Sequence, residues 1–209
     1  MKAAIFDMDG VVILSIPVYQ KIFSEKLLKS FNLKINPADI PLNGDRMEKI
    51  LKKLLDEKNI KVSDDMVKKI AEEGRVEFSS MGLSLNPGWK EFALKLKNSG
   101  IKIGLGTNTS RQVVDSILKK AKADIFDAIT TFDDVKHGKP EPDIYLKCAT
   151  LLKAKPDECV VFEDTLTGIT AGKKAGMKVI ALTTSMERKF LMDADRIIDS
   201  FFDLNVEDL

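Results

Sequence analysis

Lys2-Ala3-Ala4-Ile5-Phe6-Asp7-Met8-Asp9-Gly10-Val11 is the stretch that decides the fold. After Lys2 the run to Phe6 is short, apolar and free of turn formers, which reads as a buried central strand. It ends in two carboxylates spaced i, i+2, and on an extended chain that spacing points both to the same side. Gly10 then lets the backbone turn sharply away, a conformation other residues adopt only at a steric cost. Strand ends in open α/β sheets are where such folds place ligands. Two acids there must be hydrated, paired or metal-bound, because burying them bare is prohibitively costly. By itself D-x-D-G is a weak signal, since many such strings are turns or solvated strand ends.

Working outward, the text from about Pro17 to Met81 is helical. Ile22, Phe23 and Leu27 make one face, and Met47, Ile50, Leu51, Leu54 and Leu55 follow the helical template. Ser63 is placed to cap a third helix, with Asp64 and Asp65 in its first turn and Met66, Val67, Ile70 and Ala71 inside. No strand pattern interrupts this segment, which predicts a small helical bundle. Beyond it Asn86 is a cap candidate, and Pro87 suits a first helical position. Trp89, Phe92, Ala93 and Leu96 then form a buried face that Gly100 terminates. Strands are predicted at 101–105, 128–132, 159–162 and 179–182, with a short one at 196–198. Helices alternate with them, one turning Val113, Val114, Ile117 and Leu118 inward and another aligning Ile144, Cys148, Leu151 and Leu152. Short strands alternating with helices of roughly 10–15 residues indicate βαβ units and a parallel sheet. The helical insert follows the first strand, so the sheet domain is discontinuous.

Four polar clusters fall at the C-terminal ends of these strands: Asp7/Asp9, Thr107-Asn108, Lys139 beyond Asp133 and Asp134, and Glu163-Asp164. Each alone has a plain structural reading as a turn, a cap or a solvated loop. A parallel sheet would bring all of them to one edge. So many acids in one place call for a divalent cation, and all-oxygen ligation favours Mg²⁺. A hard cation, a lysine and neutral donors are what a phosphoryl group needs for charge neutralisation. One carboxylate can then serve as nucleophile and its neighbour as general acid and base. His137, the only histidine, lacks cysteine or histidine partners for a metal site.

Asp7-Met8-Asp9-Gly10-Val11, Thr107-Asn108, Gly138-Lys139-Pro140-Glu141-Pro142 and Glu163-Asp164 with Gly168 resemble the four motifs of the haloacid dehalogenase superfamily. The likeness covers nearly the whole chain. The helical insertion resembles the cap of the branch holding phosphoglycolate phosphatases and β-phosphoglucomutases. By that resemblance the fold is α/β, with a Rossmann-like core at 1–15 and 82–209 and an inserted, mobile helical cap at 16–81. Asp7 would be the nucleophile, forming an aspartyl-phosphate, and Asp9 would protonate the leaving oxygen and then activate water. Mg²⁺ would be held by Asp7, the backbone carbonyl of Asp9 and Asp164, with Glu163 in or beside the first shell. Thr107 and the Asn108 backbone would bind phosphoryl oxygens, and Lys139 would neutralise charge. The dehalogenases themselves lack the second acid, so Asp9 argues against dehalogenation.

The departures lie on the cap side. Many members carry an acid followed by serine or threonine where this chain has Leu14-Ser15. β-Phosphoglucomutases have a histidine where Tyr19 stands, and an arginine where Met47 stands with Arg46 beside it. Ser15, Tyr19, Asn43 and Arg46 are the candidate substrate contacts from the cap. These differences favour hydrolysis of a sugar phosphate or a phosphoglycolate-class metabolite, with phosphohexose mutase as the alternative. A phospho-accepting signalling module also gathers aspartates, a threonine and a lysine at a sheet edge. Such modules are shorter, lack a helical insert and accept phosphate on a mid-chain aspartate.

Composition narrows the partners. Lysine and arginine (33) nearly balance aspartate and glutamate (32), which argues against nucleic acid or an anionic membrane as partner. No apolar stretch approaches the ~20 residues of a membrane span. Asp7 and Asp9 interrupt what would have to be the apolar region of a signal peptide. Cys148 and Cys159 fit no metal or redox spacing and are expected as buried or free thiols. The expectation is a cytoplasmic monomer acting on a small phosphorylated metabolite.

Overall fold

The computed structural model describes residues 1–41, 46–81 and 83–209, with Ser79 described by its backbone alone. The predicted opening strand is β1 (Ala3–Phe6), and it lies in the middle of a six-stranded parallel sheet. The others are β2 (Lys102–Gly106), β3 (Ala128–Thr130), β4 (Cys159–Glu163), β5 (Lys178–Leu182) and β6 (Arg196–Ile198), in the order β3-β2-β1-β4-β5-β6. Strand order reverses at β1, which pairs with β2 on one side and β4 on the other. In such sheets the crevice beyond that switch point is where ligands sit.

The apolar run of β1 is continuous because both of its faces are covered. Ala4 and Phe6 pack with Trp89, Phe92 and Leu96 of α4 (Trp89–Asn98) and with Val114 and Ile117 of α5 (Arg111–Ala121). Ala3 and Ile5 face the other way, against Ile144 and Cys148 of α6 (Asp143–Leu152) and Ile169 of α7 (Leu166–Lys174). This two-residue alternation is that of any strand, with helices on both sides. Phe6 stacks on Phe162 with ring centroids 4.7 Å apart and meets Trp89 edge-on at 6.1 Å. Truncating it to alanine would cost about 3–5 kcal/mol. Cys148 and Cys159 are free and buried.

Two aspartates fasten the sheet margins in the same way. Asp127 donates its N–H to the Ile103 carbonyl and accepts the Ile103 N–H on Oδ2, each at 2.8 Å. Asp195 does the same to Val179, at 2.9 and 2.7 Å. Lys97 and Lys173 pair with the remaining carboxylate oxygens at 2.9 and 2.7 Å.

Between β1 and α4 run α1 (Ile16–Phe31), α2 (Met47–Glu57) and α3 (Asp64–Ser80). They share a core of their own that includes Phe23, Leu27, Leu51, Leu55, Val67 and Ile70. Tyr19 packs against both this core and that of the sheet. The chain enters and leaves the helical segment through two adjacent stretches. Leu14 N–H donates to the Ser84 carbonyl at 3.0 Å and Asn86 N–H to the Val12 carbonyl at 2.9 Å, with Ile13 and Leu85 paired antiparallel between them.

Some sequence expectations need correction. Ser63 caps α3 as expected, accepting the Met66 N–H, but Met66 itself is exposed. It lies about 100° around the helix from Val67, which carries the buried face. Leu151 is exposed next to buried Leu152 for the same reason. Asn86 does not cap α4. The cap position is Gly88, at φ 79°, and Pro87 therefore precedes the helix. The buried Asn86 amide instead donates to the Gly10 carbonyl at 3.2 Å. Among the described residues no helix is long and apolar enough to cross a membrane.

Candidate active site

Asp7 directly follows β1, its N–H still bonded to the Phe162 carbonyl of β4 at 2.9 Å, and Asp9 lies in the tight turn after it. The turn is closed by Gly10 N–H to the Ile13 carbonyl at 2.8 Å and by Val12 and Ile13 N–H to the Met8 carbonyl at 2.9 and 3.0 Å. Gly10 has φ +80°, and a Cβ there would collide with the Asp164 carboxylate and the Ser185 hydroxyl. Glycine is thus required twice over, by the turn and by the approach of Asp164, the acid just beyond β4.

Lys139 reaches into the sheet edge. Its ammonium lies 2.6 Å from Asp7 Oδ1 and 2.6 Å from Glu163 Oε1, with the side chain only 4% exposed. Asn108 fixes the loop that delivers it: Oδ1 accepts the Lys139 N–H at 2.9 Å and Nδ2 donates to the Lys139 carbonyl at 3.3 Å. The Asn108 side chain is therefore committed to the loop. Thr107 is buried and accepts the Thr109 N–H at 3.1 Å, while the Thr109 hydroxyl donates to Asp9 Oδ2 at 2.9 Å.

Glu163 is heavily engaged. Oε1 also accepts the Tyr145 hydroxyl at 2.7 Å, and Oε2 accepts the Asp164 N–H, the Thr165 N–H and the Thr165 hydroxyl at 2.9, 3.2 and 3.0 Å. A Cβ on Gly168 would overlap this carboxylate, which explains the glycine in the first turn of α7. Asp164 Oδ2 accepts from Ser185 and, at 3.3 Å, from Thr184, whereas Oδ1 is buried without a partner among the described residues. Asp9 Oδ1 and Ser15 Oγ are likewise buried and make no hydrogen bond of acceptable geometry.

Four carboxylates thus face one ammonium, and their protonation reflects it. Burial pushes Asp7 up to about 7, with the charges of Glu163 and Asp9 adding to the rise and Lys139 opposing it. Burial also pushes Asp9 up, against the nearby Ser15 and Thr109 hydroxyls. Asp164 rises well above the usual range, through burial and then the charges of Glu163 and Asp7. Glu163 is the exception. Burial would raise it, but Lys139, Tyr145 and the Asp164 N–H together hold it low. For Lys139 itself burial favours the neutral amine, and the Asp7 and Glu163 charges outweigh it.

Asp7, Glu163 and Asp164 each offer an oxygen, and these atoms lie within 4.8 Å of one another. Together with the orphaned oxygens of Asp9 and Asp164, this all-oxygen, anion-rich set fits a hard divalent cation.

A cavity of ~330 Å³ extends from these groups to the helical segment. Asp7, Asp9, Thr107, Asn108, Lys139 and Glu163 line it from the sheet side, and Ser15, Tyr19 and Arg46 from the helical side. Asn43 lies outside the described residues. The Arg46 guanidinium stands 4.9 Å over the Phe132 ring, so it touches the sheet domain. Tyr19 is stacked on Phe78, centroids 3.7 Å apart, and burial pushes its phenol well up. Asp133 and Asp134 serve α5, accepting from the Arg111 N–H and guanidinium at 2.8 Å each. The cavity also takes in Thr109, Glu48 and Arg75, and Tyr145 and Ser185 support it from behind. Thr109 stood beside a recognised cluster. The remaining four carry no signal in the linear text.

The family model of the haloacid dehalogenase-like hydrolases matches residues 4–182. The chain belongs to that family. This haloacid dehalogenase-like hydrolase is 34% identical over 184 residues to the phosphorylated carbohydrates phosphatase of Thermotoga maritima, covering 86% of this chain and 84% of that one. It is 37% identical over 124 residues to the bifunctional riboflavin kinase/FMN phosphatase of Arabidopsis thaliana, covering 58% of this chain. The chain spans 33% and 20% of the lengths of two Arabidopsis relatives that it matches. Among solved structures, a β-phosphoglucomutase from Clostridium difficile superposes with a TM-score of 0.82 at 27% identity, covering 99% of this chain and 94% of that one.

Proposed function

We propose that this hydrolase is a Mg²⁺-dependent phosphatase of a small phosphorylated metabolite, of the sugar phosphate or phosphoglycolate class, working through an aspartyl-phosphate on Asp7. The observation that carries the reading is the Lys139-paired Asp7 carboxylate at the cavity floor, with Asp9 beside it holding one oxygen without a partner. An Asp7 oxygen attacks phosphorus, the bond to the leaving oxygen breaks, and Asp9 delivers its proton to that oxygen. Asp9, now ionised and steadied by the Thr109 hydroxyl, takes a proton from water. The water oxygen attacks the same phosphorus, releasing inorganic phosphate and restoring Asp7. Thr107 and the Asn108 backbone bind phosphoryl oxygens, and Lys139 offsets their charge. Asp7, Asp164 and the Asp9 carbonyl, with Glu163 beside them, would hold Mg²⁺, which supplies further charge neutralisation at the phosphoryl group. Residues 16–81 act as a cap that closes over the bound metabolite and excludes water other than the nucleophile.

A second reading, transfer of the phosphoryl group to another sugar hydroxyl, draws support from the likeness to a β-phosphoglucomutase. Tyr19, stacked and neutral, favours hydrolysis, because it supplies no group that titrates near neutral pH. The test is phosphate release across phosphorylated metabolites, with and without Mg²⁺, by wild type and Asp7→Asn. Mg²⁺-dependent release that Asp7→Asn abolishes is expected. Conversion of β-glucose 1-phosphate to glucose 6-phosphate faster than phosphate appears would select the mutase reading.

A further inference from the structure

The helical wall of the cavity carries a charge cluster that the phosphoryl chemistry does not use. Arg75 of α3 spends three of its five N–H groups on two acids. Nε and Nη2 donate to Glu72 Oε2 at 3.0 and 2.8 Å, and Nη1 donates to Glu48 Oε1 at 2.9 Å. Arg46 adds its guanidinium 3.7 Å from the same Glu48 oxygen. Within the cavity lining these two acids balance the two guanidiniums, while Lys49 and Lys68 lie alongside the same four residues. Yet Glu48 Oε2 is buried and has no hydrogen-bond partner among the described residues. A buried acceptor left unsatisfied is costly, and here it borders a cavity large enough for a small ligand.

We propose that Glu48 selects the leaving group: Oε2 accepts a hydrogen bond from a hydroxyl on the unphosphorylated end of the substrate and repels a second anionic group there. The substrate is then a monophosphorylated polyol or sugar, in preference to phosphoglycolate or a bisphosphate. This rests on the phosphatase reading.

Three features argue for it. Burial would raise Glu48, but its own backbone N–H at the start of α2 and the Arg75 guanidinium hold it below the usual range, so it is an acceptor only. The Arg75 charge, which would otherwise welcome a carboxylate or second phosphate, is already spent, because Arg75 is clamped between Glu48 and Glu72. Arg75 therefore acts as a positioning residue, aiming one Glu48 oxygen at itself and leaving the other to the cavity. Sites built to bond a substrate hydroxyl discriminate more sharply than apolar ones, because a mismatched ligand leaves the buried acceptor unpaired.

The test compares kcat/KM of the full chain with Mg²⁺ on glucose 6-phosphate, erythrose 4-phosphate, 2-phosphoglycolate and fructose 1,6-bisphosphate. Wild type should prefer the two sugar monophosphates by roughly 10-fold or more. Glu48→Gln keeps the shape and removes the charge that repels a second anion, so the ratio of erythrose 4-phosphate to 2-phosphoglycolate should fall roughly 10-fold. Should that variant not fold, calorimetric affinities of Asp7→Asn for the same four compounds give the order without turnover and without touching Glu48. A wild-type preference for the anionic-tailed compounds, or a ratio in Glu48→Gln within about 2-fold of wild type, overturns the role of Glu48 and leaves the phosphatase reading intact. Absence of phosphate release from all compounds overturns both.

Discussion

Lys139 and Asp7, 132 positions apart in sequence, meet at 2.6 Å with both side chains nearly closed to water. The same ammonium serves Glu163, so one positive charge supports two buried negative ones. Removing one partner of a buried ion pair typically costs about 3–5 kcal/mol. Lys139→Ala should therefore unfold at lower denaturant by a stability loss of about 3 kcal/mol in chelator, and show no measurable phosphate release. Full stability in urea titrations would show that the two acids take up protons at little cost instead.

Asp7→Asn should behave oppositely. Burial raises Asp7 to about 7, so in the metal-free protein its charge destabilises the fold. With a folded pKa above the unfolded one, that destabilisation is absent below the ordinary carboxylate value, grows as pH rises, and levels off above about 7. The variant should lose turnover by at least about 10³-fold while its thermal midpoint at pH 8 in chelator is no lower than wild type. Near-normal turnover would remove the nucleophile assignment.

Mg²⁺ binding should register without any substrate. At a concentration a hundredfold above its Kd, a ligand of the native state adds about 2.7 kcal/mol. Wild type should show a concentration-dependent rise of its thermal midpoint with Mg²⁺, and Asp164→Asn should lose most of it. Turnover should vanish in chelator and return with Mg²⁺ but poorly with Ca²⁺, whose longer bonds and higher coordination number disturb in-line geometry. An equal Mg²⁺ response in both proteins would take Asp164 out of the metal site.

The margin clamp gives a stability prediction independent of catalysis. Burial would raise Asp195, but the Lys173 ion pair and the Val179 N–H together hold it below the usual carboxylate range. Its contribution is therefore complete above the unfolded value and is lost as pH falls through the lower folded one. Asp195→Ala should cost about 1–2 kcal/mol at pH 7, with the gap to wild type closing at strongly acidic pH. Urea titrations at the two pH values check it, and a gap that widens in acid counts against the clamp.

Much of this molecule was legible in the text because parallel sheets write themselves plainly. A strand buried on both faces must be apolar throughout, as Ala3 to Phe6 is, and the acids beyond such strands have one shared destination. Legibility failed where one residue of helical phase decides exposure, as at Met66 and Leu151. It failed at Asn86, whose capping chemistry is diverted to the Gly10 carbonyl by a long-range contact. The Glu48–Arg75 pair joins two helices 27 positions apart, and neither residue differs in type from the solvated charges around it. Partners across a cavity are set by how helices dock, which periodicity alone does not encode.

The paired stretches at Val12–Leu14 and Ser84–Asn86 have a further consequence. The sheet meets the intervening helices as it would meet the tip of a hairpin, since the two crossing strands are already hydrogen-bonded to each other. Loop-closure entropy rises by only about 0.6 kcal/mol for each doubling of loop length. The length of the chain between the two stretches therefore adds little to the entropy of closing it. The sheet side that holds Asp7 and the helical side that holds Glu48 thus share one hydrogen-bonded crossing, and any change to the helices must still reproduce the packing of Tyr19, Ile22 and Phe78 against the sheet core.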